Sequence, residues 1–298
     1  MLHPISFSIP KDKICKNYNI KSKIVSNLIP GNTKTYIYNT EEDYYNEYKK
    51  SYFAITMKKA GWDCMRHYEI LANGCIPYFI NIEECPKNTM ALCPKDLFIE
   101  ANMLYQKFIK KNIDELEDEN IDEYNTLLSK LLEYTKNHLT TNKMAEYILK
   151  KVNFDNKQNL KILYLSGNTD PDYLRCVTLH GFKELIGLDC HDYPKIPHIY
   201  KSTTINYNNL YGKGFTYTNL LDDELHNNNL DNSIEEDIKN KFYDIVIYGS
   251  YHRGMPYYDL VYKTYNPNEI ILICGEDLHS CNYDTFLKRG HTLFVREL

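Results

Sequence analysis

The stretch from Ser51 to Ile80 constrains the fold of this chain more than any other part of the sequence. Its first residues, 52–56, are mostly β-branched or aromatic and predict a strand, and Gly61 then allows a tight turn. A helical segment follows and ends at Gly74, after which residues 75–80 predict a second strand. Strand, helix and strand in this order are typical of α/β proteins, in which a helix start can face an anionic ligand.

The helix in this stretch has an apolar face and a polar face. Three side chains are predicted to point inward: Trp62, Met65 and Ala72. Arg66 and Glu69 lie one turn apart, and Asp63 is predicted to cap the helix or to favour its first turn through the dipole. A cation and a carboxylate side by side near a helix start suit a nucleotide, with the diphosphate at the cation and the ribose hydroxyls at the carboxylate.

The length and charge of the chain limit its organisation and its partners. At 298 residues we expect two domains of about 150 residues each, divided in the polar segment 153–159. The net charge of −5 gives no basic field that would attract nucleic acid. A mean hydropathy of −0.53, with no apolar run near 18 residues and no signal-like start, predicts a cytoplasmic chain without a membrane span.

Nine cysteines are scattered along the chain, an odd set that contains no C-x-x-C pair. Most of them lie inside apolar patterns, so we expect reduced thiols in the core. A zinc site assembled from distant cysteines and histidines is the less favoured interpretation.

The second half of the chain repeats the alternation of strand and helix. Four near-continuous apolar segments predict buried strands: 160–165, 243–248, 269–274 and 292–295. Asp170-Pro171 predicts a helix start, with proline at the first helical position, and the helix is predicted over 173–186 with Gly187 as its cap. Buried strands separated by helices predict an α/β fold with a parallel sheet covered on both faces.

Other segments carry weaker patterns. In the first half these predict strands at 24–29 and 94–99, and helices at 41–50, 124–135 and 140–151. Residues 201–233 are rich in Asn and Tyr and are predicted to be irregular.

The segment from Trp62 to Pro77 resembles the donor-site helix of GT-B glycosyltransferases, in particular the exostosin-like and spore-maturation-protein-like members. In that resemblance Glu69 takes the place of the glutamate that holds the nucleotide ribose. Many GT-B enzymes carry a second glutamate about two turns upstream. Gly61 stands near that place here, so any role of the second glutamate is missing or moved.

The second half resembles the N-terminal lobe of the same family. The resemblance rests on Ile162-Leu-Tyr-Leu-Ser-Gly, Asp172-Tyr-Leu, His180-Gly, Gly275-Glu-Asp and the ending Arg289-Gly-His-Thr-Leu-Phe-Val-Arg-Glu-Leu. It implies an α/β fold of two Rossmann-like domains facing a cleft, with a donor lobe at 1–152 followed by an acceptor lobe at 153–298. The order is circularly permuted relative to the family, which neighbouring termini make easy, although a fragment of a longer tandem array would look the same.

The resemblance implies transfer of a sugar from a nucleotide-sugar donor to a glycan, protein or small-molecule acceptor, without a metal or a further cofactor. The residues implied for donor binding are Lys58, Lys59, Gly61, Asp63, Arg66 and Glu69. Other interpretations of these residues are structural. Arg66 could pair with Glu69 or Glu100, and His67 could pair with Asp63 four residues earlier.

Polar residues follow the predicted strands of the second half, where open α/β sheets hold ligands. The candidate catalytic residues are Asp170, Asp172, His252 and Glu276, and the candidate cleft-lining residues are Gly167, Gly249, Arg253 and Asp277. For Asp170 and Asp172, helix capping is favoured over a role as acceptor-side base. The two glycines are predicted at points of close backbone approach.

Two further functions remain open at the level of sequence. One is a catalytically inactive GT-B-like module that binds a nucleotide or glycan, which the Gly61 substitution and the shuffled order favour. The other is a Rossmann methyltransferase in residues 160–298, suggested by Tyr243-Asp-Ile-Val-Ile-Tyr. Leu165-Ser-Gly-Asn weakens it, because it lacks the glycine-rich turn that cradles such a cofactor.

Overall fold

The computed structural model of the protein describes residues 1–16, 21–202, 204–277 and 281–298. The strands are β1 Leu2–Pro4, β2 Lys23–Val25, β3 Ser51–Met57, β4 Ile76–Ile80, β5 Ile162–Leu165, β6 Cys190–Tyr193, β7 Ile245–Tyr248, β8 Ile270–Cys274 and β9 Thr292–Val295. The α-helices are α1 Glu41–Lys49, α2 Met65–Ala72, α3 Lys95–Phe108, α4 Asp118–His138, α5 Thr141–Lys151, α6 Tyr173–Ile186, α7 Ile234–Lys239, α8 Tyr258–Thr264 and α9 Tyr283–Lys288.

The fold is mixed α/β, as predicted, and its larger sheet has six strands that are all parallel. Their order is β1-β9-β8-β7-β5-β6. Strands β5, β7, β8 and β9 are fully buried and match the four apolar segments of the second half. Apolar strands buried on both faces are what a parallel sheet between helical layers requires.

A second, three-stranded sheet has the order β2-β3-β4 and is also parallel. Helix α2 connects β3 to β4, so the predicted strand, helix and strand between Ser51 and Ile80 are confirmed. Gly74 follows α2 with a φ of 64°, the left-handed conformation typical of a residue that ends a helix. In place of the strand predicted at 24–29, the structure has the shorter strand β2, which covers only the start of that range.

The strand predicted at 94–99 is wrong, because these residues begin helix α3. Pro94 is the N-cap of that helix, and its buried side chains follow a helical period: Phe98, Ala101, Leu104, Tyr105 and Phe108. The short run Leu97-Phe98-Ile99 resembles a strand only when it is read without the residues that follow. The helices predicted at 41–50, 124–135 and 140–151 lie within or closely match α1, α4 and α5.

Helix α6 spans the predicted residues, 173–186, and Gly187 is its C-cap as expected. The prediction for the helix start needs one correction. Asp172 is the N-cap residue, so Pro171 precedes the cap instead of occupying the first helical position. The described part of the 201–233 segment consists mainly of turns and short 3₁₀ helices, which agrees with the irregular structure predicted there; residue 203 lies outside the described residues.

Elements from the first half of the chain surround the six-stranded sheet. Strand β1 pairs with β9, with Leu2 opposite Leu293. Helix α5 packs against α6 so closely that a Cβ on Gly181 would lie well under 3.0 Å from the backbone of Thr141. One hydrophobic cluster contains residues of both halves. The division at 152 and 153 stays a prediction, and the two halves share a core.

Two further findings concern the chain as a whole. No helix in the described ranges is long and apolar enough to cross a membrane. Cys274, at the end of β8, forms a disulfide with Cys281, whose Cα lies 6.4 Å away. The expectation that all cysteines are reduced is therefore wrong. The sequence could not show this pair, because the two cysteines are seven residues apart and form no C-x-x-C motif.

Candidate functional site

Two backbone amides of the turn between β3 and α2 bind a carboxylate of the same chain. The backbone N–H groups of Trp62 and Asp63 donate to the two carboxylate oxygens of Glu297, each at 3.0 Å. A Cβ on Gly61 would lie 2.5 Å from Oε1 of Glu297, so a glycine leaves room for this carboxylate. The expectation of a helix start that faces an anionic ligand is not met at these two amides, because a carboxylate of the same chain already occupies them. Gly61 therefore has a packing role.

Asp63 is buried beneath this turn and neither caps α2 nor faces a ligand. The N-cap residue is Cys64, and its side chain makes no capping hydrogen bond. The Asp63 carboxylate accepts from the Phe7 amide at 2.7 Å and from the Tyr68 hydroxyl at 2.8 Å. Burial raises the pKa of Asp63 to about 6. Its assignment to donor binding is wrong, since both carboxylate oxygens bind other parts of the fold.

His67 also has different partners from those predicted. Its Nδ1 lies 2.9 Å from the Thr56 hydroxyl, and its Nε2 lies 2.8 Å from the Trp62 carbonyl oxygen. Burial lowers the pKa of His67 to about 3, so the ring is neutral in the folded protein. The predicted Asp63–His67 pair is therefore wrong, although the structural role expected for the histidine is confirmed.

Glu69 is buried at the contact between the first and second halves. One carboxylate oxygen accepts from the Tyr44 hydroxyl at 2.6 Å, and the other accepts from the Thr216 hydroxyl, also at 2.6 Å. Burial raises the pKa of this carboxyl group. Thr216 lies in a segment that reaches over the first half, where Lys213 Nζ donates to the Tyr38 carbonyl at 2.6 Å. Glu69 is thus held with one hydroxyl on each oxygen.

Arg66 has unused hydrogen-bonding capacity. Its Nη2 donates to the Tyr36 hydroxyl at 3.2 Å, whereas Nη1 is buried and has no hydrogen-bond partner within the described residues. Lys59 lies 5.7 Å from the centre of the same Tyr36 ring, and the exposed Lys58 lies over Trp62. Arg66 lies one turn from Glu69, and its charge offsets part of the rise that burial causes in the pKa of that carboxyl group. The suggested partner Glu100 is instead 3.5 Å from Lys130.

The order of the six-stranded sheet reverses between β5 and β7, because β5 connects first to β6 on one side and the chain then returns to β7 on the other. Ligands in such sheets bind at this reversal, beyond the carboxyl ends of the strands. A Cβ on Gly167, after β5, would lie well under 3.0 Å from the backbone of Arg253, which confirms the predicted close approach. At Gly249 the close neighbour is the side chain of Tyr164.

Asp172 holds the two loops at this reversal together. Its Oδ1 accepts from the Arg175 amide at 3.0 Å, and its Oδ2 accepts from the Ser250 hydroxyl at 2.7 Å and lies 3.0 Å from Nε of Arg253. Although burial opposes it, these hydrogen bonds and the arginine charges lower the pKa of Asp172. The capping interpretation is confirmed, and the candidate role of Asp172 as a base is not supported, because its lone pairs are used.

Asp170 lies apart from these contacts. Its carboxylate is exposed and accepts from the Asn168 side chain at 3.0 Å, while its carbonyl oxygen accepts from the buried guanidinium of Arg175. The structure does not place the Asp170 carboxylate with the other candidate catalytic groups.

His252 and Glu276 meet at the ends of β7 and β8. Nε2 of His252 lies 2.8 Å from Oε1 of Glu276 and 4.0 Å from Oδ2 of Asp172. The His252 side chain is 10% exposed and the Glu276 side chain is 38% exposed. Burial lowers the pKa of His252, which favours the neutral imidazole. We call Asp172, Ser250, His252, Arg253 and Glu276 the edge cluster.

Arg296 connects the edge of the large sheet to the start of α2. Its guanidinium contacts the Asp277 carboxylate and the Asp63 carbonyl, and lies 2.9 Å from the Glu297 carboxylate. Asp277 is thus a partner of Arg296, and no contact of the described chain supports a role for it in lining an open cleft. Sequence reasoning missed Arg296 and Glu297, whose only signal was their place in the Arg-Glu-Leu ending.

The two groups of predicted residues lie on either side of one junction. Burial and then the charge of Glu69 raise the pKa of Tyr173, which begins α6 next to Asp172. Burial and then the charge of Asp63 raise the pKa of the Cys64 thiol to about 11. Several buried polar atoms here have no hydrogen-bond partner in the described ranges: Ser166 Oγ, both ring nitrogens of His252, Arg253 Nε and Arg66 Nη1. Unsatisfied buried donors and acceptors of this kind mark a place where a polar ligand can bind.

No protein-family model, curated protein or solved structure matches this chain. A surface depression of about 820 Å³ contains none of the predicted site residues and is lined instead by residues such as Lys195, Tyr200 and Lys201. The junction between the two sheets therefore remains the candidate site on its own geometry.

Proposed function

We propose that the protein is a nucleotide-sugar-dependent glycosyltransferase whose donor binds at the junction between its two parallel sheets. One observation carries the proposal. Glu69 of α2 accepts from Thr216 of the second half there, and Arg66 lies one turn away on the same helix, so the two residues that suit a nucleotide lie at the contact between the halves. A GT-B-like pair of Rossmann-like lobes, with the donor lobe first, is part of the proposal.

The Glu69 carboxylate would hold the ribose of the donor. It already accepts one hydroxyl on each oxygen, from Tyr44 and Thr216 at 2.6 Å, and two neighbouring ribose hydroxyls present the same pair of donors. The ribose would displace the Thr216 hydroxyl. The diphosphate would then lie at Arg66, whose Nη1 is unpaired in the described chain, and at the exposed Lys59 and Lys58.

The edge cluster would supply the acceptor-side base. Burial favours the neutral form of His252, and the Glu276 carboxylate lies 2.8 Å from its Nε2. In the reaction, the acceptor oxygen bonds to the anomeric carbon while the bond from that carbon to the diphosphate oxygen breaks. The acceptor proton passes to His252, and the charge of the released nucleoside diphosphate is stabilised by Arg66.

Calorimetric titration with UDP, GDP and ADP tests the donor site. We expect one of them to bind, and both Arg66→Ala and Glu69→Gln to weaken that binding at least about tenfold, since each removes a charge-assisted contact. Glu100→Gln is the matched control, because Glu100 lies on α3 and pairs with Lys130. Equal affinity in the wild type and both variants would refute the site.

A catalytically inactive nucleotide-binding module is the second candidate, and the Glu297 carboxylate on two amides of the turn before α2 favours it. That carboxylate occupies the donors that could otherwise stabilise a leaving diphosphate. Release of nucleoside diphosphate from UDP-glucose and GDP-mannose separates the candidates. Release that is lost in His252→Gln but kept in His138→Gln, an exposed histidine on α4, supports the enzyme; nucleotide binding without release supports the module.

A further inference from the structure

A group of buried polar side chains beside the edge strand β6 has no part in the proposed reaction. It consists of His191 on β6, and of His226 and Asp231 in the segment before α7. One ring nitrogen of each histidine and one carboxylate oxygen lie within 4.8 Å of one another. The two histidines are 1% and 5% exposed, whereas the side chain of Asp231 is 29% exposed.

The spacing of these atoms matches the spacing of metal ligands. Nε2 of His191 lies 3.1 Å from Oδ1 of Asp231, and Nε2 of His226 lies 3.1 Å from Oδ2 of the same residue. Tetrahedral zinc ligands at bond lengths of about 2.0 Å are separated by about 3.3 Å. The carboxylate therefore already lies at close to a ligand–ligand distance from both imidazoles.

His191 lacks the hydrogen bonds that a buried imidazole requires. Neither of its ring nitrogens has a hydrogen-bond partner among the residues that the structure describes, and its approach to Asp231 is not aligned as a hydrogen bond. A buried ring without partners is unfavourable for folding. A metal ion at Nε2 would use the lone pair that the protein leaves without a partner.

His226 is held in the orientation of a metal ligand. Its Nδ1 lies 3.1 Å from Oδ1 of Asp192, which also accepts from the Tyr200 hydroxyl at 2.6 Å and lies 3.0 Å from Lys183 Nζ. A carboxylate at one ring nitrogen fixes the proton there and leaves the other nitrogen as a ligand. In His226 that other nitrogen, Nε2, faces Asp231.

We propose that His191, His226 and Asp231 bind a divalent transition-metal ion of the zinc class, with Asp192 as the residue that positions His226. Imidazole nitrogens together with a carboxylate oxygen are a common ligand set for such ions. The exposed part of Asp231 gives the ion access, and the bound ion ties the edge strand β6 to the irregular segment that carries His226. The site is independent of nucleotide binding and of glycosyl transfer.

Titration of Zn²⁺ into the full-length, chelator-treated protein by calorimetry tests the proposal. We expect one ion per chain, with an affinity at least about tenfold lower in Asp231→Asn and in Asp192→Asn. Asp222→Asn is the matched control, because Asp222 is an exposed carboxylate of the same segment that pairs with Lys201. Wild-type affinity in Asp231→Asn, or no stoichiometric binding to the wild type, would overturn the site.

Cobalt in place of zinc identifies the ligand atoms, which is needed because seven cysteines carry free thiols. Bound Co²⁺ should give visible absorption without a thiolate-to-metal charge-transfer band, and His191→Gln and His226→Gln should abolish it while the exposed His138→Gln keeps it. A charge-transfer band in the wild type would assign the metal to cysteines and refute the proposal. If the histidine variants fail to fold, the Zn²⁺ affinity of Asp231→Asn still tests the site, because Asp231 is partly exposed.

Discussion

Helices α2 and α6 both begin at the carboxyl edge of a parallel sheet, and a carboxylate binds backbone amides at each start. At α6 the carboxylate belongs to the N-cap residue Asp172, which accepts from an amide of the helix three residues later. At α2 it belongs to Glu297, which is 235 residues from Trp62 and 234 from Asp63 and binds these two amides of the turn just before the N-cap Cys64. Both carboxylates satisfy backbone donors close to the positive end of a helix dipole.

The two helix starts differ in when the carboxylate becomes available during folding and in how firmly it is held. The cap at α6 is available as soon as the helix forms, because it comes from the adjacent residue. The carboxylate at α2 arrives only when the end of β9 has been placed in the large sheet. A small anion can replace a side chain that arrives from a distance, whereas it cannot replace a cap that also joins two loops. The comparison therefore yields testable differences between the two helix starts.

Removing the local carboxylate should have the largest effect. Asp172→Ala leaves Ser250 and Arg253 without their partner and uncaps α6, so we expect the free energy of unfolding to fall by about 3–5 kcal/mol. Urea unfolding measures it. Asp170→Ala, two residues earlier and exposed, is the control, with an expected loss below about 0.5 kcal/mol. Similar losses in the two variants would mean that Asp172 does not hold the loops together.

Removing the distant carboxylate should cost less and should be reversible by an added anion. Glu297→Ala leaves two amides and the Arg296 guanidinium without this partner, and we expect a loss of about 2–3 kcal/mol in urea unfolding. Glu235→Ala, on the exposed face of α7, is the control. Sulfate should raise the melting temperature of Glu297→Ala more than that of the wild type; an equal rise would show that the vacated amides bind no anion.

Substituting the glycine beside each helix start should also destabilise the protein more at α6 than at α2. Gly167→Ala brings a methyl group against backbone atoms of Arg253 and Gly254, which cannot rotate away, and we expect a loss of about 2 kcal/mol. Gly61→Ala meets the end of the Glu297 side chain, and we expect about 1 kcal/mol. A double-mutant cycle checks the packing role of Gly61: in the Glu297→Ala background, Gly61→Ala should cost almost no free energy of unfolding. If the two substitutions destabilise the protein independently, this packing role is contradicted.

The pKa values of the two aspartates near the helix starts should be shifted in opposite directions from the ordinary value. For Asp172 the pKa in the folded state lies below the ordinary 3.8, so its contribution to stability is present above pH 3.8 and is lost as the pH falls further. For Asp63 burial raises the pKa to about 6, so its contribution is present below pH 3.8 and is lost as the pH rises through 6. Carbon-13 NMR of the carboxyl groups should show the two titrations well separated, and a shared midpoint would contradict the difference in environment.

Elements that depend on near neighbours could be predicted from the sequence. Helix α6 was bounded correctly, since Asp172 and Gly187 are local start and stop signals, and the buried strands of the second half were recognised from their apolar runs. Strands β1 and β6 were not predicted. Each has only three or four residues, and β1 is a strand only because β9 lies beside it. Helix α3 was mistaken for a strand because its first turn is an apolar run.

The same distinction between near and distant partners applies to the candidate site. His252, Arg253 and Glu276 were expected near one another because parallel strands end at one edge, and the structure brings them together with Asp172. The partner of the Trp62 and Asp63 amides was missed, because nothing near Gly61 in the sequence indicates the carboxylate of Glu297. The partners of Glu69 could not be found either, since Thr216 lies 147 residues away in a segment without a pattern.

The pairing of β1 with β9 has a consequence for synthesis on the ribosome. Residues 2–4 leave the exit tunnel well before their hydrogen-bonding partners at 293–295 are made. Translation at about 5–20 residues per second therefore keeps this short segment waiting for roughly 15 seconds or more. During that interval β1 has no partner strand. Slower codons late in the message would lengthen the period in which misassembly competes with the correct pairing of β1 and β9.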